Sequence, residues 1–303
     1  MDIYLPIANM SVNALLIVAL GGLVGILSGL FGVGGGFLTT PLLIFYGIPP
    51  SVAVASATTQ IIGASVSGVM AHTRRGGVDF RMGLVMIVGG LFGSLAGAFL
   101  FRLAQASGQI DVLIGLLYVL LLGSIGGLML KDAAQALGWL PKKELAQPRP
   151  RHRRFIAALP MRWRFYASGL YVSPLAPLAL GFAAGILTVL LGVGGGFVLV
   201  PAMIYILGMA PRVVVGTSLV MIIAVSAGTT MIHSLTTHSV DIVLAALLLV
   251  GGVVGAQYGA RMTTKIKPDL LRFALAIIIL LVALRMALGL TYRPDEIFSI
   301  EYV

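Results

Sequence analysis

The sequence has no cysteine and very few charged residues. Only 10% of its 303 residues are charged and 59% are hydrophobic, with a mean hydropathy of +1.06, whereas soluble domains carry about 25% charged residues. The absence of cysteine excludes disulfides, thiolate metal sites and cysteine nucleophiles. So few charges exclude a soluble enzyme, and a disordered chain would need the opposite composition. The composition predicts a polytopic membrane protein without a metal site or cofactor.

Ten apolar runs lie along the chain, five on each side of a basic segment. Most are long enough to cross a hydrocarbon core of about 30 Å. The second run of each half is different, because the runs at about 37–47 and 197–208 are too short to cross the core and each follows a glycine cluster. This pattern is typical of a half-helix after an unwound segment. The other runs lie at about 12–31, 50–71, 81–103, 111–130, 173–191, 213–235, 242–262 and 270–290.

The basic segment at 131–172 holds nine Lys and Arg residues against two acids. Such a run is compatible with a patch for an anionic partner or a nucleic acid. Because membrane spans flank it, we interpret it instead as a cytoplasmic loop that follows the positive-inside rule, and we expect no nucleic-acid partner. The chain is therefore divided into an N-terminal transmembrane repeat at 1–130, a basic linker at 131–172 and a C-terminal transmembrane repeat at 173–303.

The two halves repeat each other. The sequence Gly-Val-Gly-Gly-Gly-Phe stands at 32–37 and again at 192–197, an offset of 160. The offset grows to 161 for His72 and His233, and then to 162 further along, so two single-residue insertions are enough to align the halves. We conclude that the chain arose by duplication. The pairs at an offset of 162 include Asp79 with Asp241 and the series Gly89, Gly93, Gly97 with Gly251, Gly255, Gly259.

The distribution of basic residues predicts that the repeats have opposite orientations. With the 131–172 loop in the cytoplasm and alternate crossings, only Arg102, Arg285 and Arg293 of the 20 Lys and Arg residues fall outside, which leaves 17 inside. The matching loops at 72–79 and 234–240 then lie on opposite sides of the membrane. Each repeat needs an odd number of crossings, so we expect a glycine-broken helical hairpin plus three transmembrane helices in each. Both termini would then face outward, away from the cytoplasm.

The duplicated glycine cluster is the strongest candidate for a binding site. Glycine lets the backbone approach a ligand closely, and free amides inside a membrane are tolerated where they line a cavity or are buried in protein. The start of each following half-helix carries the positive end of its dipole. Two such starts meeting at the repeat interface would bind an anion without a buried cation; close helix packing by glycine is the alternative. The predicted backbone ligands are Gly34, Gly35, Gly36, Phe37, Gly194, Gly195, Gly196 and Phe197.

Polar side chains inside the spans are few. Thr59, Gln60, Thr217 and Ser218 would hydrogen-bond an oxyanion, or else bond between helices. No carboxylate lies in the middle of a span, which argues against a carboxylate proton relay or a cation site.

The paired histidines and aspartates lie at helix ends. His72 and His233 end equivalent helices and are candidates for gating or proton handling, although a histidine at a helix end is more often interfacial. Asp79 and Asp241 precede helices and are interpreted as N-caps. The Gly-x-x-x-Gly series are interpreted as helix-packing surfaces.

These motifs resemble the TauE/SafE sulfite exporter family, also called the 4-toluene sulfonate uptake permease family. The resemblance rests on the doubled glycine motif, each copy followed by a proline (Pro41 and Pro201), on the two histidines, and on Gly-Thr-Ser-Leu at 216–219. The first half has Ala-Ser-Ala-Thr at 55–58 instead, so the halves are expected to contribute unequally. The resemblance implies a multi-pass protein of the bacterial inner membrane that carries sulfite or a small organosulfur anion, often outwards.

Together with this resemblance, the broken-helix repeat predicts an alternating-access secondary transporter, exporting sulfite or a small sulfonate-like anion, and not an enzyme. An anion channel or facilitator, or an uptake permease for sulfate- or thiosulfate-like anions, is the alternative. A membrane assembly that binds a partner through the 131–172 loop is a further hypothesis, and a membrane enzyme is the weakest because no nucleophile–base or metal constellation is present. The expected partners are the anion and the lipid bilayer, and the sequence leaves open the exact substrate, the coupling ion and whether a homo-oligomer forms.

Overall fold

The computed structural model describes residues 2–31, 35–73, 76–139, 162–262 and 268–291. Its elements follow the same order in both halves. The first half contains β1 (Asp2–Leu5), β2 (Met10–Asn13), α1 (Ala14–Phe31), α2 (Gly36–Phe45), α3 (Pro50–Thr73), α4 (Phe80–Ala106) and α5 (Ile110–Ala136). The second contains β3 (Trp163–Phe165), β4 (Leu170–Val172), α6 (Leu175–Leu191), α7 (Gly196–Ala202), α8 (Pro211–Ile232), α9 (Ile242–Met262) and α10 (Pro268–Thr291). Two π-helical turns, Met203–Leu207 and His233–Thr237, extend α7 and α8.

In the part of the chain that the structure describes, six helices are long and apolar enough to cross a membrane. They are α3, α4 and α5 of the first half and α8, α9 and α10 of the second, whereas α1, α2, α6 and α7 are shorter apolar helices. Large apolar side chains are exposed along these helices, for example Leu95 on α4 and Leu281 on α10, as a lipid-facing surface requires. The prediction of an all-α polytopic membrane protein is confirmed.

The short first helix of each half packs against a long helix of the other half through glycine. α1 contacts α9, and α6 contacts α4, with the backbones so close that a Cβ atom at Gly93 would lie 2.0 Å from the Phe182 carbonyl oxygen. The equivalent Gly255 would place a Cβ atom 2.1 Å from the Gly22 carbonyl oxygen. The interpretation of both Gly-x-x-x-Gly series as packing surfaces is therefore confirmed.

Helices α3 and α8, which are equivalent in the repeat, run antiparallel against each other. Near the start of α3, Ser56 Oγ accepts a hydrogen bond of 3.2 Å from the Asp241 amide, which follows the end of α8. Near the start of α8, Thr217 Oγ1 accepts a bond of 2.9 Å from the Asp79 amide, which follows the end of α3. Each helix start thus lies beside the end of the other helix, which is the relation that an inverted repeat requires.

The two buried aspartates cap helices, as predicted. Asp79 Oδ1 accepts from the Met82 amide (3.1 Å) at the start of α4, and Asp241 Oδ1 accepts from the Leu244 amide (3.1 Å) at the start of α9. Such caps satisfy amides that have no partner within the helix.

The two β-hairpins were not predicted from the sequence. β1 pairs with β2 and β3 pairs with β4, both antiparallel. Each hairpin turn docks on a capping aspartate: the Ile7 amide donates to Asp241 Oδ2 and the Ser168 amide to Asp79 Oδ2, both at 3.0 Å. The second hairpin falls inside the predicted linker 131–172, and 140–161 lie outside the described residues. The domain boundaries stay a prediction.

Among the described residues, the largest buried cluster lies where the glycine-led helices meet. It includes the rings of Phe37, Phe101, Tyr118 and Phe197, and it joins residues of α1 to α7 and of α10. The fold therefore surrounds the starts of α2 and α7 with packed side chains from both halves.

Candidate functional site

Both short helices begin at a glycine in the left-handed conformation. Gly35, before α2, and Gly195, before α7, each have φ of +73°. A side chain is strained at such a φ, by about 1–2 kcal/mol, so glycine is the residue that suits these positions. Gly194 is also left-handed, with φ of +72°, whereas the predicted ligand Gly34 lies outside the described residues.

The two helix starts are in direct contact. The rings of Phe37 and Phe197, the second residues of α2 and α7, stack with their centroids 4.5 Å apart and their planes at 9°. A Cβ atom at Gly36 would lie 2.7 Å from the Gly192 carbonyl oxygen, so the start of α2 also touches the backbone at the end of α6. We call Gly35, Gly36 and Phe37 the first tip, and Gly194 to Phe197 the second tip.

The tips present backbone amides rather than capped helix ends. Neither helix start receives a side-chain capping bond. The Leu38 amide donates to the Gly35 carbonyl (3.2 Å) and the Leu199 amide to the Gly195 carbonyl (2.8 Å). The amides at the very start of a helix have no acceptor in the helix itself, and they carry the positive end of its dipole. The chemistry of both tips therefore suits an anion.

Apolar side chains close the space at the tips. A Cβ atom at Gly194 would lie 2.9 Å from Cγ2 of Ile61 and 3.2 Å from Cγ2 of Ile222. Ile61 and Ile222 are equivalent in the repeat, and both are buried, like the two phenylalanines. The tips are thus together in a closed arrangement, with hydrophobic side chains packed over the amide-rich starts.

Gln60 lies beside the first tip, as part of a buried polar pair. Its Oε1 atom accepts a hydrogen bond of 2.8 Å from Thr39 Oγ1, in the first turn of α2. Thr39 Oγ1 is also 3.4 Å from the Gly35 carbonyl oxygen. Gln60 therefore connects α3 to the first tip, which makes it the predicted side-chain ligand with the most direct link to the glycine cluster.

The other predicted side-chain ligands make structural hydrogen bonds in this conformation. Thr59 Oγ1 lies 3.4 Å from Thr230 Oγ1, beside a cavity of about 330 Å³. Thr217 accepts from Asp79, as described above, and Ser218 Oγ donates to the Val215 carbonyl at 2.9 Å. Their role as anion ligands stays a prediction.

His233 is buried, and not interfacial as is usual for a histidine at a helix end. Its Nε2 donates to the Val189 carbonyl oxygen at 3.1 Å, one turn before the second glycine cluster, and its ring packs edge-on against Phe101. The ring therefore links the end of α8 to α6. For His72 the structure describes the backbone in α3 but not the side chain, so a gating or proton-handling role of the two histidines stays a prediction.

Two serines that the sequence analysis missed lie on the same helix faces as Ile61 and Ile222. Ser65 and Ser226 follow them by one turn on α3 and α8, and they are equivalent at an offset of 161. Within the described ranges both hydroxyls are fully buried without a hydrogen-bond partner. Unpartnered buried hydroxyls are rare in native proteins and call for an explanation. The repeat alignment already pairs these serines and was the available signal.

The model of the family described as sulfite exporter TauE/SafE matches residues 17–286, which is nearly the whole chain and includes both tips. The protein belongs to the TauE/SafE family. The resemblance inferred from the doubled glycine motif is thereby confirmed, and the chain is a membrane transporter of this family.

Curated relatives of this TauE/SafE protein are named as transporters. "Probable membrane transporter protein YunE" of Bacillus subtilis is 28% identical over 279 residues, which cover 89% of this chain and 96% of the relative. "Probable membrane transporter protein YdhB" of the same organism is 30% identical over 264 residues, covering 86% and 95%. A "Probable membrane transporter protein" of Xylella fastidiosa (strain Temecula1) is 28% identical over 281 residues, covering 91% and 95%. No solved structure matches the chain.

Proposed function

We propose that this TauE/SafE protein is a secondary transporter that exports sulfite or a small organosulfur anion by alternating access. The observation that carries the proposal is the contact between the two glycine-led helix starts, with Phe37 stacked on Phe197. Each start offers amides without a side-chain cap, and two converging dipole ends favour a negative charge. The family description, sulfite exporter, supports the class of substrate.

Amides and hydroxyls suit an oxyanion that has several acceptor oxygens. A transported anion loses its hydration shell inside the membrane, so it needs hydrogen-bond donors that are already in place. The tip amides and the unpartnered hydroxyls of Ser65 and Ser226 are donors of this kind. The described residues include no buried lysine or arginine, so such a site holds the anion less tightly and lets it leave again.

The closed tips correspond to a state between the outward-open and inward-open forms. To admit an anion, the stacked rings of Phe37 and Phe197 must separate. Pro41 and Pro201 lie inside α2 and α7, four residues after these rings. A proline within a helix removes one backbone hydrogen bond and eases bending at that point. In the proposed mechanism the two tips part towards one side of the membrane at a time.

The proposal also includes the location of the chain and its orientation in the membrane. The chain lies in the bacterial inner membrane with the 131–172 loop in the cytoplasm and both termini in the periplasm. Because the relatives are named as transporters and not as enzymes, the proposed activity is transport without catalysis. No cofactor takes part, and the partners are the anion and the bilayer.

The test uses purified protein in sealed proteoliposomes. A panel of sulfite, sulfate, thiosulfate and sulfonates is first screened by thermal unfolding, since a ligand that binds only the folded state raises its stability. Flux of the stabilising anion is then measured with and without unlabelled anion on the opposite side. Saturation and counterflow support a carrier. Flux that rises linearly without counterflow indicates the channel alternative, and no flux of any sulfur anion contradicts the proposed substrate class.

A further inference from the structure

The surface beside the second β-hairpin contains a cavity that includes no residue of either tip. A cavity of about 480 Å³ lies between the β3–β4 hairpin and the start of α4. Three arginines line it. Arg81 belongs to α4, Arg164 belongs to β3, and Arg162 directly precedes β3. We call it the arginine pocket.

Positive charge converges in the arginine pocket. The guanidinium carbons of Arg81 and Arg164 lie 5.6 and 5.7 Å from the centre of the same Tyr166 ring. Both guanidinium groups therefore lie against one ring, and none of the described residues that line the pocket is acidic. Asp79, the buried acid that precedes Arg81 in the chain, accepts hydrogen bonds from Met82 and Ser168. An anion bound in the pocket would be attracted by Arg81 and Arg164 together.

The surroundings of the pocket are of the kind found at the membrane–water interface. Its other wall includes Leu84, on the first turns of a membrane-spanning helix, and that side chain is largely exposed. Trp163 and Tyr166 are exposed beside it, and such aromatic residues concentrate at the membrane–water interface. The pocket therefore offers cationic groups above an apolar wall. A phospholipid has the matching shape, with a phosphate above an acyl chain.

The first hairpin provides an internal comparison, because it has the same fold without the charge. At the repeat offsets, Asp2 and Tyr4 stand where the second hairpin has Arg162 and Arg164, and Val243 stands where α4 has Arg81. β1–β2 nevertheless docks on Asp241 just as β3–β4 docks on Asp79. Folding of the hairpin does not require the arginines, so they need another explanation.

We propose that the arginine pocket binds the phosphate headgroup of an anionic phospholipid. The inference goes beyond transport and does not rest on the anion site at the tips. It agrees with the predicted cytoplasmic side of this hairpin, since anionic lipids there attract basic residues.

The test compares lipids on the purified, delipidated full chain. Thermal unfolding in detergent is followed while phosphatidylglycerol or phosphatidylcholine with the same acyl chains is added, and native mass spectrometry counts the bound lipids. Phosphatidylglycerol should bind more tightly to the unaltered protein. Arg164→Gln should weaken that binding about fivefold, and Arg81→Gln with Arg164→Gln about 25-fold, since each base near an anionic surface contributes about 1 kcal/mol.

Two controls keep the test decisive. Arg102→Gln changes an exposed arginine at the other end of α4 and should leave lipid binding unchanged. Inorganic phosphate and glycerol 3-phosphate are added in separate arms at the same concentrations. The proposal is overturned if phosphatidylcholine binds as tightly as phosphatidylglycerol. It is also overturned if the Arg164→Gln variant, altered at an exposed position, binds phosphatidylglycerol as tightly as the unaltered protein, or if free phosphate stabilises the protein as strongly as the lipid. The last result would indicate a soluble anion as the occupant.

Discussion

The two tips have the same backbone but different surroundings. Each begins with a left-handed glycine and places a phenylalanine in the central stack. The first tip is flanked by the buried Thr39–Gln60 hydrogen bond. At the equivalent positions the second tip has Leu199 and Met221, both buried. The left-handed glycine and the phenylalanine, which both tips share, allow the two helix starts to contact each other. The polar pair is present in one half only.

This difference suggests separate tasks for the two halves. If the tip amides bind the anion, both tips contribute equally. The polar pair at the first tip would then orient the bound anion, which two identical tips could not do. The helices also diverge downstream, because α7 continues into a π-helical turn at Met203–Leu207 and α2 ends as an α-helix at Phe45. Such turns are frequent at functional sites.

The largest expected effect comes from bulky side chains at the tips. Gly35→Leu and Gly195→Leu should each reduce anion flux to the level of empty liposomes, because the side chain is strained at φ of +73° and meets Ser28 or Ala184 at about 3.0–3.1 Å. Proteoliposome flux and membrane yield are measured together. Gly108→Leu is the matched control, since Gly108 has φ of +69° but open space around it. Equal flux in the tip variants and the control would show that the tips are not the site.

Next in size is the effect of filling the glycine contacts between the halves. Gly93→Ala and Gly255→Ala should each destabilise the protein by about 1–3 kcal/mol, because the added methyl group meets rigid backbone. The two losses should be similar if the halves pack equivalently. Thermal unfolding in detergent measures them against Gly123→Ala and Gly127→Ala, where no atom lies within 4 Å. A large loss of stability in only one of the two contact variants would show that the halves do not pack equivalently.

A smaller effect tests the asymmetry of the tips directly. Gln60→Leu should cost about 1–3 kcal/mol by leaving the buried Thr39 hydroxyl without its side-chain acceptor, whereas the double variant with Thr39→Val should recover most of the loss. Met221→Leu, at the apolar equivalent position, should cost less than about 1.5 kcal/mol. If Gln60 also orients the anion, the stable double variant will still have a raised KM for transport. A double variant with unchanged KM would assign Gln60 a purely structural role.

The sequence was sufficient for the helical segments, the glycine packing surfaces and the two aspartate caps. These features depend on local signals, namely long apolar runs, repeated glycines and a carboxylate before a helix. The hairpins were not predicted because their strands have only three or four residues, which is too few to show an alternating pattern of apolar and polar residues. They depend on docking to Asp79 and Asp241 across the chain.

The packing of apolar side chains over the tips could not be predicted from the sequence, for a similar reason. Glycine clusters predict where the backbone can come close, but which side chains fill the space depends on tertiary packing. Thus the sequence identified Phe37 and Phe197 as tip residues without indicating that their rings stack. It also suggested that His233 would be interfacial, and the structure buries it, because the ring fits between Phe101 and the end of α6.

The most direct measurement asks whether the tips must part for an anion to pass. The chain contains no cysteine, so Phe37→Cys and Phe197→Cys together introduce the only two thiols. A short bis-methanethiosulfonate linker is applied to the double variant in proteoliposomes, with each single variant treated in parallel. The account predicts that linking the tips stops the anion flux of the double variant and that a reductant restores it, while the single variants keep their flux. Undiminished flux through the linked protein would contradict it.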